Sequence, residues 1–342
     1  RRTYECGMKD SLDIDRLLND TNIEEKMRDI VVNRKRRLVA LYDSAVVAYR
    51  HVSGVSDQDM YDYFVSKIVT KAKQEGFQWD ETSNKGEHSR TLYSKFIDEL
   101  RKHIVNEVCQ DLLSYVKQID RVIFNERDLQ LYLSDRLKSS GHYDNVYLEY
   151  HLPKGVNSKF DEGYAAWETE RPSIDIVLEI DNRFIAIELK NKLKSFSTNL
   201  SRFGESTDVK ILKNQAAQNI GRYQFWKDVK RIELLKQSYK NVLGGVALFL
   251  TNDACYMKTS PKADYKEFGM EEGCQRGGKD SKPLEWNSSI KKDKNGKELL
   301  DKSGNPIRKS PAIKLDKTYS PSWEEGFEID AEKFHCCHVI VQ

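Results

Sequence analysis

The sequence predicts an α/β fold preceded by a helical region, and three observations carry that expectation. Between about residues 125 and 251 the hydrophobic pattern runs helix, strand, strand, strand, helix, strand. Within it, residues 173–190 alternate apolar and other side chains, as two strands joined by a tight turn would. Residues from about 20 to 120 instead repeat apolar side chains at helical spacing. A chain of 342 residues has room for a core domain plus a further module. We place the helical region at 1–120 and the core domain at 121–342.

In chain order, Thr21-Asn-Ile-Glu24 is a capping box, a serine or threonine cap with an acid three residues on. It opens a long helix with Ile23, Met27, Ile30, Val31, Leu38, Leu41 and Tyr42 on one stripe, ending near Gly54. A second helix is expected from about Ser56 through Tyr63, Phe64 and Ile68 to Gly76, and a third from Ser89 to Gln118. Nothing here looks catalytic. Arg34-Lys-Arg-Arg37 reads as a solvated helix face, with a phosphate-contacting patch as the alternative.

The core opens at Asn125-Glu-Arg-Asp128, which has the form of an N-cap followed by acids in the first helical turn. That helix continues through Leu129, Leu133 and Leu137 to Gly141. A strand follows at Asn145 to Leu152, then a polar loop to Arg171. After the hairpin, one helix or two span about Asp208 to Tyr239, and Gly245 to Thr251 is a short buried strand. From about 256 to 310 the composition shifts to Gly, Lys and Asn, reading as an extended hairpin or flexible insertion, either solvated or lying along a phosphate backbone. Ile313 to Leu315 and His335 to Val341 are candidate closing strands.

The hairpin carries the chemistry. Asp181-Asn182 is a plausible two-residue turn, because both residue types tolerate left-handed backbone. It sets residue 180 opposite 183, and therefore Asp175 opposite Glu188, with Lys190 on the same face. Directly paired side chains have Cβ atoms about 5 Å apart. Two carboxylates that close repel, more strongly when half-buried, and a divalent cation removes the penalty. A register shift of one residue would send Asp175 to the opposite face. The bland alternative is a surface hairpin with a cross-strand Glu–Lys pair.

Asp175, a twelve-residue spacer and then Glu188-Leu-Lys190 on an apolar strand resembles the PD-(D/E)xK nuclease superfamily, with Pro172-Ser-Ile-Asp175 as a loosened form of its first element. The resemblance covers about residues 125–255 and implies a restriction-endonuclease-like core, a mixed central sheet flanked by helices. It further implies a Mg²⁺- or Mn²⁺-dependent phosphodiesterase, a bacterial DNA endonuclease, with a catalytically silent nucleic-acid-binding or interaction protein as the alternative. On that resemblance Asp175, Glu188 and the backbone carbonyl of Leu189 would bind the metal. Lys190 would orient or deprotonate water, or stabilise the transition state. The superfamily often supplies a further acid from the first core helix, which points to Glu126; dipole stabilisation is its bland role. Glu149 and Glu179 are weaker candidates. RecB-type relatives place a Gln…Tyr pair on the helix after the hairpin, which points to Gln218, although Gln218 and Tyr223 stand five apart rather than four. Arg222 and Tyr223 could share its face, while Phe225 and Trp226 read as core. Lys192, Lys194, Lys210 and Lys213 would guide a phosphate backbone.

Charged residues make up 32% of the chain but the net charge is only +2, so any nucleic-acid surface must be a local patch. No apolar run approaches the roughly 18 residues of a membrane span and no signal peptide is visible, so the chain reads as soluble and cytoplasmic. It opens on Arg1, which leaves room for an upstream segment. Nucleic acid, foremost DNA, is the expected partner, with room for a homodimer. The six cysteines form no Cys-x-x-Cys pair. His335-Cys-Cys-His338 looks metal-like, but alternation along a strand keeps the four from one ion, which favours buried strand cysteines over zinc.

Overall fold

In the computed structural model the described residues are 89–152, 172–180, 182–211, 217–261, 263–293, 295–307 and 309–342. The first two expected helices with Arg34–Arg37, the loop 153–171 and Lys213 lie outside them. The chain divides into two compact units, residues 1–104 with 142–144 and residues 105–141 with 145–342. The second unit holds the site. The described part of the chain is mixed α/β, with three α-helices and a six-stranded mixed sheet.

Helix α1, Ser89–Lys117, matches the third expected helix, and its part within the second unit buries Val105, Val108, Leu112 and Val116. Helix α2, Glu126–Ser139, starts where its cap dictates. Asn125 is extended, and its side-chain oxygen accepts the Asp128 N–H at 2.9 Å. Arg121 then grips the Asp128 carboxylate with both guanidinium arms, at 2.7 and 2.9 Å. Leu129, Leu133 and Leu137 recur every four residues and are fully buried.

The sheet is built from β1 (Asn145–His151), β2 (Ser173–Ile180), β3 (Arg183–Asn191), β6 (Val242–Thr251), β10 (Glu332–Val341) and β9 (Ser322–Ile329), in that spatial order. All neighbours are antiparallel except β3 and β6, which run parallel. A parallel pair needs a crossover, and α3 (Gln218–Ser238) supplies it, packing on β3 and β6. The central strands are therefore near-continuously buried, which explains the unbroken apolar run of β6. Gly245 lets β3 and β6 approach, since a Cβ there would lie 2.1 Å from the Ala186 carbonyl oxygen. Val177, Ala186, Ala247 and Phe249 pack with Trp226, Val229 and Ile232 of α3, so α3 covers the face shared by Asp175, Glu188 and Lys190.

Three expectations require correction. Residues 208–211 do not begin a helix: they belong to β5 (Glu205–Ile211), which pairs with β4 (Phe196–Arg202) as a two-stranded hairpin. Phe203 and Gly204 form its turn with φ of 54° and 86°, the left-handed pair that matches strand twist. The insertion is not a loose surface segment throughout. Phe268, Met270, Leu284 and Trp286 are buried against Tyr223 and Trp226, and the Trp226 indole donates to the Gly269 carbonyl at 3.2 Å. The turns around Asp293 and Asp301 reach into solvent, each carboxylate accepting backbone N–H groups. Finally, Ile313 makes a single bridge to Leu284 rather than a closing strand, with β7 (Arg276–Gly277) and β8 (Thr318–Tyr319) pairing separately. His335 to Val341 do form a strand, within β10, and both Cys336 and Cys337 are buried, which pushes their thiols up. No helix among the described residues is long and apolar enough to cross a membrane.

Candidate active site

The hairpin adopts the register that its turn implies. Ile180 pairs with Arg183, Val177 with Ala186 and Ile176 with Ile187, and Asn182 has φ 60°. The paired ladder ends there, one residue short of Asp175 and Glu188. On the other side of β2, Leu148 pairs with Ile176 and Tyr150 with Ile174, which brings Glu149 alongside Asp175. Glu149 has φ 48°, and its carboxylate accepts from Gln130 and Ser173, each at 3.2 Å. Glu179 accepts from Tyr147 at 2.6 Å and Asn145 at 2.9 Å, remote in register from Glu188.

Side chains from three elements converge around Lys190. Its ammonium lies 3.1 Å from the Asp228 carboxylate of α3 and 3.4 Å from Glu126 of α2, and it donates to the Leu189 carbonyl at 2.8 Å. Glu188 pairs with Arg231 at 2.9 Å, and Arg231 reaches Asp228 at 3.5 Å. Asp175 Oδ2 accepts the Leu189 N–H at 2.7 Å, and its own carbonyl accepts from the Gln130 amide at 2.6 Å. Glu126 thus stands beside Lys190 of the hairpin. Asp228 and Arg231 are the members that sequence reasoning missed. A signal existed: Asp228 stands three residues after Phe225 and four before Ile232, on the buried stripe of α3, where an acid demands a partner.

The electrostatics follow from burial. Four carboxylates (Glu126, Asp175, Glu188, Asp228) share two cations, Lys190 and Arg231. Burial raises the Asp175 carboxyl to about 6; Lys190 and the Leu189 N–H pull it down while Asp228 and Glu126 push it up. Burial likewise raises Glu188 well above the usual range, with Arg231 opposing and Asp175 and Asp228 adding. Burial acts to lower Lys190, but the surrounding carboxylates, Asp228 first, outweigh it and hold its ammonium above the ordinary lysine value. Glu188 Oε2 is buried without a hydrogen-bond partner.

The other expected residues lie elsewhere. Gln218 is the first residue of α3 and donates to Asp253 at 2.6 Å rather than to the cluster. Arg222 and Tyr223 point into the interior, where Arg222 donates to the Cys255 carbonyl at 2.7 Å and Tyr223 to that of Pro311 at 3.0 Å. Phe225 and Trp226 are core, as expected. Among the described residues no group of three or more His, Cys, Asp or Glu side chains is arranged to hold a metal ion.

What fold and site define together is a mixed α/β domain with a largely buried cluster of acids around Lys190 and Arg231 at its central hairpin. Comparison with family models, with curated proteins and with solved structures finds no match for the chain.

Proposed function

We propose that the chain is a metal-dependent phosphodiesterase of the PD-(D/E)xK type, with a restriction-endonuclease-like core, acting on DNA. The observation that carries this reading is the convergence of Asp175, Glu188, Lys190 and Glu126 in one cluster in which Glu188 Oε2 is buried with no hydrogen-bond partner. The element order and the antiparallel β2–β3 hairpin beside parallel β6 support it.

The donor set fits Mg²⁺ or Mn²⁺. Such ions take hard oxygens and commonly one or two carboxylates, the remainder being water or phosphate. Asp175, Glu188 and the Leu189 carbonyl would hold the ion, which when bound would supply Lewis acidity to a water and a phosphate oxygen. Lys190, braced by Asp228 and Glu126, is a fixed cation that can donate to a phosphate oxygen as charge builds there. Arg231 holds Glu188 in place and compensates its charge. Gln130 fixes the backbone at Asp175.

A silent, nucleic-acid-binding relative is the second reading. It is favoured by two contacts: Lys190 already occupies the Leu189 carbonyl, and Arg231 already neutralises Glu188. Incubation of the purified protein with plasmid DNA and Mg²⁺ or Mn²⁺ separates the two. The enzyme reading expects nicking that stops in EDTA and is lost in Lys190→Ala. Cutting that persists in both Asp175→Ala and Glu188→Ala refutes this site, and binding without any cutting supports the silent reading.

A further inference from the structure

A groove of about 490 Å³ lies at the end of β3, lined by Lys192, Lys194, Gln218, Asn219, Tyr256 and Tyr265 among others. Three features of it call for an anion. First, the ammonium groups of Lys192 and Lys194 make no hydrogen bond or ion pair among the described residues. Second, the first turn of α3 borders it, and Ala217 at the N-cap, with φ 90°, provides no side-chain cap. Third, Arg222 lies one helical turn beyond Gln218 and Asn219 and is only 1% exposed. Its guanidinium packs against the rings of Tyr256 and Tyr265, two residues of the groove wall, at 5.3 and 5.6 Å. Its Nε and Nη1 have no hydrogen-bond partner, nor has the Tyr256 hydroxyl.

The buried Arg222 guanidinium is held by carbonyl contacts and two rings, with the Glu271 carboxylate near enough to favour its charge. Asp253 is the one carboxylate lining the groove among the described residues. It accepts from the Gln218 amide at 2.6 Å and the Cys255 N–H at 3.0 Å and is drawn toward Lys194, so the groove sets two lysines against one carboxylate. We propose that this groove is a phosphate-binding site, its ligand the phosphate next to the scissile one on the same nucleic-acid strand.

The geometry specifies that neighbour. Lys192 stands two residues beyond Lys190, just past the end of β3, its N–H donating to the Leu250 carbonyl at 3.0 Å. Two residues of extended chain span about 6.6 Å, close to the separation of successive phosphates along a strand. Along the backbone, Lys190 at the cluster and Lys192 at the groove are thus spaced by about one nucleotide step. Burial lowers the Lys192 ammonium somewhat, and a phosphate beside it would offset that.

The identity of the phosphate rests on the nuclease reading, whereas the anion site does not, and two measurements on the full chain keep them apart. Thermal unfolding in potassium phosphate is compared with potassium chloride at matched ionic strength, for the parent and for Lys192→Ala/Lys194→Ala. The parent midpoint should rise in phosphate and the variant's should not. An equal rise in both, or none in either, overturns the proposal. Binding of a labelled DNA oligonucleotide in EDTA is then followed against salt. The double variant should flatten the slope of log K against log salt by about one, with exposed Lys138→Ala as the control. An unchanged slope overturns the assignment to a substrate strand. If the parent binds no oligonucleotide yet shows the lysine-dependent phosphate effect, the groove serves a small phosphate compound and the nuclease reading falls instead.

Discussion

Replacing Asp175 with asparagine should make the metal-free protein more stable, although it removes a residue from the centre of the site. The Asp175 carboxyl is raised from 3.8 to about 6, burial being the largest cause. A raised folded-state value favours the protonated form, so its stabilising share is complete below about pH 3.8 and is lost as pH rises through about 6. A shift of about two pKa units corresponds to about 3 kcal/mol. Asparagine stays neutral and keeps an oxygen to accept the Leu189 N–H, so Asp175→Asn should recover up to that amount at pH 8 and none at pH 4. For a domain of this size that is a rise in unfolding midpoint of about 6–12 °C. Thermal unfolding in EDTA at the two pH values measures it. A variant less stable than the parent at pH 8, or a gain equal at both pH values, refutes the premise that burial of this charge is what the site strains against. Mg²⁺ should raise the parent midpoint at pH 8 and leave Asp175→Asn nearly unmoved, since the ion and the amide relieve the same repulsion.

Other expectations concern neighbouring features. Arg231→Gln strands Glu188 in the interior and should cost about 3–5 kcal/mol at pH 8 in urea unfolding, less at pH 5, where the raised Glu188 takes up a proton. Adding Glu188→Gln should recover much of that loss, and strict additivity of the two changes would contradict a direct pairing. Asn125→Ala removes the cap of α2 and should cost about 1 kcal/mol, measured by the urea midpoint. Phe203→Asn places a residue suited to left-handed backbone at a fully exposed turn and should stabilise the protein by about 1 kcal/mol; destabilisation would show that the ring has contacts worth keeping.

What the sequence revealed and what it concealed divide on physical lines. The hairpin of β2 and β3 was legible because period-two alternation and the Asp181-Asn182 turn together leave one register. The start of α2 was legible through its Asn125 cap, whereas Glu126 was singled out by the family resemblance and not by its own pattern. The β4–β5 hairpin was hidden because its turn opens with phenylalanine, a residue that carries no turn signal, and its polar strands suggest no buried face. In the insertion, Phe268, Met270 and Trp286 are isolated in a polar stretch, so no period announces that they cover Tyr223 and Trp226 of α3. Asp228 and Arg231 needed the third dimension. Their partners Lys190 and Glu188 are about forty residues away in the chain, and only the β3–α3–β6 crossover brings them together.

The bond from the Leu189 amide to Asp175 has a use in spectroscopy. This proton points at a carboxylate oxygen that changes charge near neutrality. Its resonance should therefore trace the ionisation of Asp175 directly, moving with a midpoint at about pH 6 in EDTA. Leu189 lies in the central strand of the sheet, so its exchange with solvent should be among the slowest in the domain and the signal should persist across that range. One backbone proton would then report on the charge state of the cluster, the arrival of a cation beside it and the integrity of the sheet, without any label placed in the site.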